Sequence, residues 1–136
     1  METTEVHGLR IAYERAGDGP PLVPLHGYVG DGPTTRRPQL EGLGDEFTVI
    51  AWDAPGRRSV LRPARVVRHD RLRRLPGRLV ERLGLERPHV AGLSFGGALA
   101  LALFRRHAAL PATLTLASAS PSPPCWSTAT RTCAPP

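Results

Sequence analysis

One serine, Ser94, stands between two glycines in Gly92-Leu93-Ser94-Phe95-Gly96, with the apolar-leaning run His89-Val90-Ala91 before it and the Ala/Leu repeat Ala98–Leu103 after it. A strand, a tight turn holding one hydroxyl, and a helix together form a device for presenting a nucleophile. Gly92 and Gly96 sit where a side chain would collide with the opposite arm of a strained turn. The Ser94 hydroxyl would stand above the sheet edge at the start of the helix. The Phe95 backbone N–H, outside the helix's own ladder, is expected to bind an oxyanion. A serine hydroxyl is a weak nucleophile near neutral pH, so acyl transfer also needs a base and an acid that orients it.

The rest of the chain must position these groups, and it reads as alternating strands and helices. Glu5 to Arg15 is an opening hairpin turning at His7-Gly8, with Leu9, Ile11 and Tyr13 alternating with Arg10, Ala12 and Glu14. Gly17-Asp18-Gly19-Pro20-Pro21 is a turn. Leu22–Leu25 reads as a buried strand, although Pro24 is awkward in a central ladder. His26-Gly27-Tyr28 follows it directly. Residues 30–35 read as a loop, Pro38–Gly44 as a short helix with Leu40 and Leu43 inward, and Phe47–Trp52 as a strand ending in Asp53-Ala54-Pro55-Gly56. Leu72, Leu75, Leu79, Val80 and Leu83 fall at helical spacing, but Pro76-Gly77 interrupts them, so the helix is predicted over Arg78–Leu83. Phe95–His107 is an amphipathic helix with Arg105, Arg106 and His107 favourable at its C-terminal end. Pro111–Ser118 fits a sixth strand.

Gly92-x-Ser94-x-Gly96 in this setting resembles the nucleophile elbow of the α/β-hydrolase family. His26-Gly27 at the end of the third strand is similar to the opening of the family's second oxyanion loop. Carried over by position, that donor is the Tyr28 N–H. Asp53-Ala54-Pro55-Gly56 resembles the family's fourth-strand ending, where the acid is structural, so Asp53 is not cast as the triad acid. The resemblance covers residues 5–56 and 79–118. It implies an α/β fold, the N-terminal half of a hydrolase core, with a mostly parallel sheet and an N-terminal antiparallel hairpin. It also implies hydrolysis of small-molecule esters, lactones or related bonds through an acyl-serine intermediate, with no cofactor and no metal. The Gly-Leu-Ser-Phe-Gly-Gly elbow leans towards the esterase, enol-lactonase and haloperoxidase-like branch. Serine at this position separates it from the dehalogenases and epoxide hydrolases, which use Asp.

The order of triad residues in that family is Ser, then Asp or Glu, then His. After Ser94 this sequence has no Asp or Glu, and its one later histidine is His107. At 1.5 Å per residue along the helix, His107 would lie roughly 20 Å from Ser94. His89 opens the fifth strand at its far end from the elbow. His26 is the one imidazole that the element order brings near Ser94; its usual role in the family is structural, and it is the candidate surrogate base. The chain as written is expected to be truncated and inactive.

The formal charge of +6 is a local property. Residues Arg57 to Arg78 hold nine Arg and one acid, Asp70, a local charge of +8. The remainder carries a net −2, and there is no Lys anywhere. An interaction protein binding polyanions through Arg57–Arg78 is the competing reading. Only His69 offers a ring there, so base stacking is scarce and no specific nucleic acid is expected. A local change of reading frame is the third reading, because the family pattern breaks off at Gly56 and returns near Leu79. Residues 1–118 are read as one partial domain, with 57–78 divergent. The stretch 119–136 is read as a disordered Pro/Ser/Thr-rich tail, with five prolines in the seventeen residues from Ser120. Cys125 and Cys133 lie in that stretch without His or acid, so neither a metal site nor a structural disulfide is read. No apolar run is long enough to span a membrane and no signal peptide is recognisable, so a cytoplasmic location is the default expectation.

Overall fold

Alternating apolar residues along the strands give the sheet two covered faces. The computed structural model describes residues 1–27, 32–55 and 69–119. Six strands, β1 (Glu2–Val6), β2 (Leu9–Ala16), β3 (Pro21–Leu25), β4 (Thr48–Asp53), β5 (His89–Leu93) and β6 (Thr113–Ala117), form one sheet in the order β1-β2-β4-β3-β5-β6. The hairpin β1–β2 and the β2–β4 pair are antiparallel, and β4, β3, β5 and β6 run parallel. Four helices alternate with the later strands: α1 (Gly32–Leu43), α2 (His69–Leu72), α3 (Leu75–Arg82) and α4 (Phe95–Arg106).

Strand β4 shows the two-residue period directly. Val49 and Ala51 face Leu40 of α1, together with Leu22. Ile50 and Trp52 face the opposite layer, where Leu75, Leu79 and Val80 of α3 and Leu99 and Leu103 of α4 are buried. Trp52, Ile50 and Leu79 are wholly buried, so this second layer holds most of the apolar area removed from water. Helix α1 therefore covers one face, and α3 and α4 cover the other.

Tyr13 ties the hairpin together. Its hydroxyl donates to Glu2 Oε2 at 2.8 Å, across directly paired residues. Burial first, then that hydrogen bond and the Glu2 charge, hold the phenol above its usual value. The fold thus prefers the neutral phenol, so its contribution is whole at neutral pH and is lost as pH rises from about 10 through the folded value. Tyr13→Phe is expected to flatten the alkaline fall in urea-derived stability above about pH 10. Parallel falls in both proteins would contradict this.

Two helix boundaries differ from the sequence expectation, both because of proline. Helix α3 starts at Leu75 rather than Arg78, with Pro76 in its first turn, where no N–H is needed. Leu75, Pro76 and Gly77 are buried, so the end of the Arg-rich block packs into the fold. Helix α1 starts at Gly32 rather than Pro38 and runs through that proline. Burial of Leu40 against Leu22 and Val49 outweighs the missing hydrogen bond. Pro24 is accommodated in β3 because the ladder with β4 is confined to Pro21 and Leu22. Residues 56–68 and 120–136, which hold most of the basic block and the tail, lie outside the described residues.

Candidate active site

Adjacent parallel strands β3 and β5 send their chains in opposite directions. From β3 the chain passes to α1 on one face, and from β5 to α4 on the other. The crevice beyond the carboxyl ends of two such strands is where open α/β sheets bind ligands. His26 and Gly27 leave β3 there, and Ser94 leaves β5.

Ser94 has φ 52° and ψ −115°. That is the geometry of the first central residue of a type II′ turn, which ordinarily takes glycine. Its N–H donates to the Ala117 carbonyl at 2.9 Å, and its own carbonyl accepts from Gly97 N–H at 2.9 Å and Ala98 N–H at 3.3 Å. A serine before a helix ordinarily caps it from a β-region backbone. Here the backbone is elsewhere and the side chain makes no cap hydrogen bond. Ser94 is exposed, at the head of α4. Phe95, half-buried against the core, is the first residue of that helix.

Close approach explains the flanking glycines. A Cβ on Gly92 would lie 2.6 Å from the Gly96 carbonyl oxygen and from Gly97 Cα. A Cβ on Gly96 would overlap the Leu25 carbonyl oxygen and lie 2.6 Å from that of His26. Gly27 is different: a Cβ there would meet Leu93 O at 3.6 Å and Ser94 Cβ at 3.7 Å, ordinary contact distances. The β3 exit thus lies directly against the turn, and of these three glycines Gly92 and Gly96 are sterically required.

His26 is buried with both ring nitrogens engaged. Nδ1 lies 2.8 Å from the Gly27 carbonyl oxygen, and Nε2 accepts from the Ala54 N–H at 3.2 Å. In this arrangement the Nε2 lone pair, which a surrogate base would turn to the Ser94 hydroxyl, is on the Ala54 N–H. Asp53 is fully buried at the end of β4, its Oδ1 4.0 Å from Nε2. His107 caps the far end of α4, and His89 at the start of β5 meets Thr113 Oγ1 at 2.8 Å. Tyr28 lies outside the described residues. Two contacts escaped the sequence reading: the Ala54 N–H on His26 and the Ala117 carbonyl on Ser94. Both join residues more than twenty apart through backbone atoms, which no side-chain pattern records.

The strained Ser94 backbone carries its own test. Such a conformation costs about 1–3 kcal/mol for a residue with a Cβ. Ser94→Gly is expected to stabilise the chain by about 1 kcal/mol, because relief of strain exceeds glycine's added entropy loss. Ser94→Ala should stay within about 0.5 kcal/mol of the parent. Urea unfolding measures both, and a Ser94→Gly protein less stable than Ser94→Ala would contradict the strain.

Elsewhere, Arg71 donates to the His7 carbonyl at 2.6 Å and Arg78 pairs with Glu81 at 2.8 Å. A surface hollow of about 470 Å³ lined by Met1, Glu14, Arg15, Arg37, Leu40 and Glu41 holds none of the elbow residues. Among the described residues, no three His, Cys, Asp or Glu side chains could hold a metal ion together, and no helix is long and apolar enough to cross a membrane.

Comparison with known proteins gives consistent matches. The model of the alpha/beta hydrolase family matches residues 11–136, a range that includes the Arg-rich block. The dihydrolipoyllysine-residue acetyltransferase component of the acetoin cleaving system of Cupriavidus necator is 32% identical over 100 residues, 73% of this chain and 26% of that protein. An alpha/beta hydrolase fold protein from Burkholderia ambifaria superposes with a TM-score of 0.78 at 28% identity, over 87% of this chain and 43% of that one. A meta-cleavage product hydrolase from Pseudomonas fluorescens gives a TM-score of 0.80 at 26% identity, over 88% and 45%. The chain therefore spans about a quarter of the curated relative's length and under half of each solved structure. Their names describe different activities, and a shared fold does not choose among substrates.

Proposed function

We propose that this chain, which belongs to the alpha/beta hydrolase family, carries the nucleophile and oxyanion donors of a serine hydrolase site for small-molecule esters, lactones or related bonds. Ser94 Oγ attacks the acyl carbon, the hydroxyl proton passes to a base, and the leaving alkoxide takes a proton as the acyl-serine forms. The negative charge on the tetrahedral intermediate is met by the Phe95 N–H at the head of α4 and, by family resemblance, by the Tyr28 N–H. The observation that carries this reading is Ser94 itself. An exposed serine is held in a glycine-type conformation at a strand–helix turn, between two glycines that tolerate no side chain. Strain of that kind persists where the surrounding structure imposes it, and it clusters at sites of chemistry.

The sequence as written has no Asp or Glu after Ser94, and its one later histidine caps the far end of α4. The nucleophile is therefore tested apart from whichever group supplies the base. A reagent that needs little base assistance tests it. An alkyl fluorophosphonate should phosphonylate Ser94 slowly, with loss of fluoride, and peptide mass spectrometry should find the adduct there alone. No adduct on Ser94, or equal labelling of the Ser94→Ala protein, overturns the reading. The polyanion-binding alternative gains no support from Arg71 and Arg78, which are engaged with His7 and Glu81.

A further inference from the structure

Strand β6 ends the sheet, and we infer that its open edge is a self-recognition surface, through which two copies of this chain pair antiparallel about a two-fold axis at Thr115. Among the described residues, β5 lies on one side of β6 and nothing pairs with the other. The Ala117 carbonyl accepts from the Ser94 N–H, so the backbone polar groups of Thr113, Thr115 and Ala117 point at β5. Alternation turns those of Leu114 and Leu116 outward, where each offers an N–H and a carbonyl to a further strand. The run Thr113-Leu114-Thr115-Leu116-Ala117 reads nearly the same in both directions. Laid antiparallel on its own copy about Thr115, it sets Leu114 opposite Leu116 and Thr115 opposite Thr115. Each leucine pair then exchanges both N–H···O bonds, and the threonines form the closer pair without hydrogen bonds.

The side chains fit a second copy of the same strand. β6 holds no charged residue and no proline, the usual guards of an exposed edge. The opposite edge of the sheet, β1, carries Glu2 and Glu5, and self-pairing about its centre would set these like charges against each other. Leu116 is 40% exposed on the face where Leu114 packs on the core, and Phe104 of α4 is 42% exposed. Phe104 shares a helical stripe with Gly97, whose space for a Cβ is taken by Ala119 just beyond β6, so the ring flanks the same edge. A two-fold pair of β6 strands closes on itself, whereas β6 against β1 would leave edges open to further growth. Five residues at about 3.4 Å each give a contact about 17 Å long, short of what the roughly 1,000 Å² of a stable interface needs, so the dimer is a weak one. Because Ala117 anchors the Ser94 N–H, pairing also steadies the support of the nucleophile turn.

Sedimentation equilibrium of the full chain from about 10 µM to about 1 mM should show a monomer–dimer equilibrium that stops at the dimer. Thr115→Lys sets like charges face to face on the axis and should weaken association about tenfold, as should Leu116→Lys at the bonded pair. Both positions are exposed, and unchanged far-ultraviolet circular dichroism shows that each variant is folded; if Leu116→Lys is not, Thr115→Lys decides. Thr115→Cys reads the register. The Cα atoms of a close antiparallel pair stand about 4.5 Å apart, within disulfide reach, so mild oxidation should link the two substituted positions. Thr113→Cys faces Ala117 of the other copy and should not link to itself. Peptide mass spectrometry of the non-reduced digest separates that linkage from any through Cys125 or Cys133. A monomer throughout, particles growing beyond the dimer, association unchanged in Thr115→Lys, or no disulfide between the two positions 115 overturns the proposal.

Discussion

Replacing Gly96 by alanine is expected to cost the chain at least about 3 kcal/mol, the upper end of overpacking penalties. The added methyl would overlap the Leu25 carbonyl oxygen and lie 2.6 Å from that of His26. Both obstacles are backbone atoms, one at the end of a strand hydrogen-bonded to its neighbour and one just beyond it, so no rotamer change can relieve the clash. Either β3 leaves its register with β5, in which Leu25 pairs with Gly92, or α4 moves off the sheet. A domain of this size has about 5–15 kcal/mol of stability to lose, so a large share goes with one methyl group. Gly42→Ala is the control. It sits in α1 with open space where its Cβ would be, and there alanine should stabilise by about 0.5–1 kcal/mol. Thermal unfolding of the two variants beside the parent measures both effects. A Gly96→Ala protein melting with the parent would mean that β3 and the elbow do not meet as described.

The elbow was legible in sequence because its constraints are local. Glycines two residues either side of Ser94, an apolar run before and an Ala/Leu run after specify a strand, a strained turn and a helix without help from elsewhere. The hairpin was legible for the same reason: His7 and Gly8, with φ of 51° and 72°, make the turn that matches strand twist. Pro76 was misread because a breaker's effect depends on where the helix begins. Pro76 in a first turn costs nothing, whereas the same residue three positions later would end the helix. His26 was read as structural by resemblance and as a candidate surrogate base, and its bonding partner was not legible. Its neighbourhood holds a serine, a histidine and a buried aspartate, the composition of a triad, and composition cannot say which way a lone pair points. The Ala54 N–H decides that, from 28 residues away.

That lone pair also governs the expected activity. The chain should turn over p-nitrophenyl butyrate no faster than its Ser94→Ala variant, within measurement. A triad serine loses most of its acceleration without its base, and oxyanion stabilisation with binding leaves only about 10³–10⁴ over water. Working enzymes supply roughly 10⁶ or more. For His26 to act as base, Nε2 would have to surrender the Ala54 N–H and turn to Ser94, leaving a buried amide unsatisfied at about 1–3 kcal/mol. Asp53 could not then orient the ring from 4.0 Å as a triad acid does through a hydrogen bond. The elbow is further weakened by its support, because the Ser94 N–H is anchored to Ala117, the last residue of β6. That strand is the edge of the described sheet, with Leu116 exposed on it, and edges of this kind invite association with other chains. Turnover by the two purified proteins, measured side by side, decides the matter. A Ser94-dependent rate on the order of 1 s⁻¹ or more would show that His26 changes partners or that another group supplies the base, and equal rates would leave Ser94 presented but without the base that activates it.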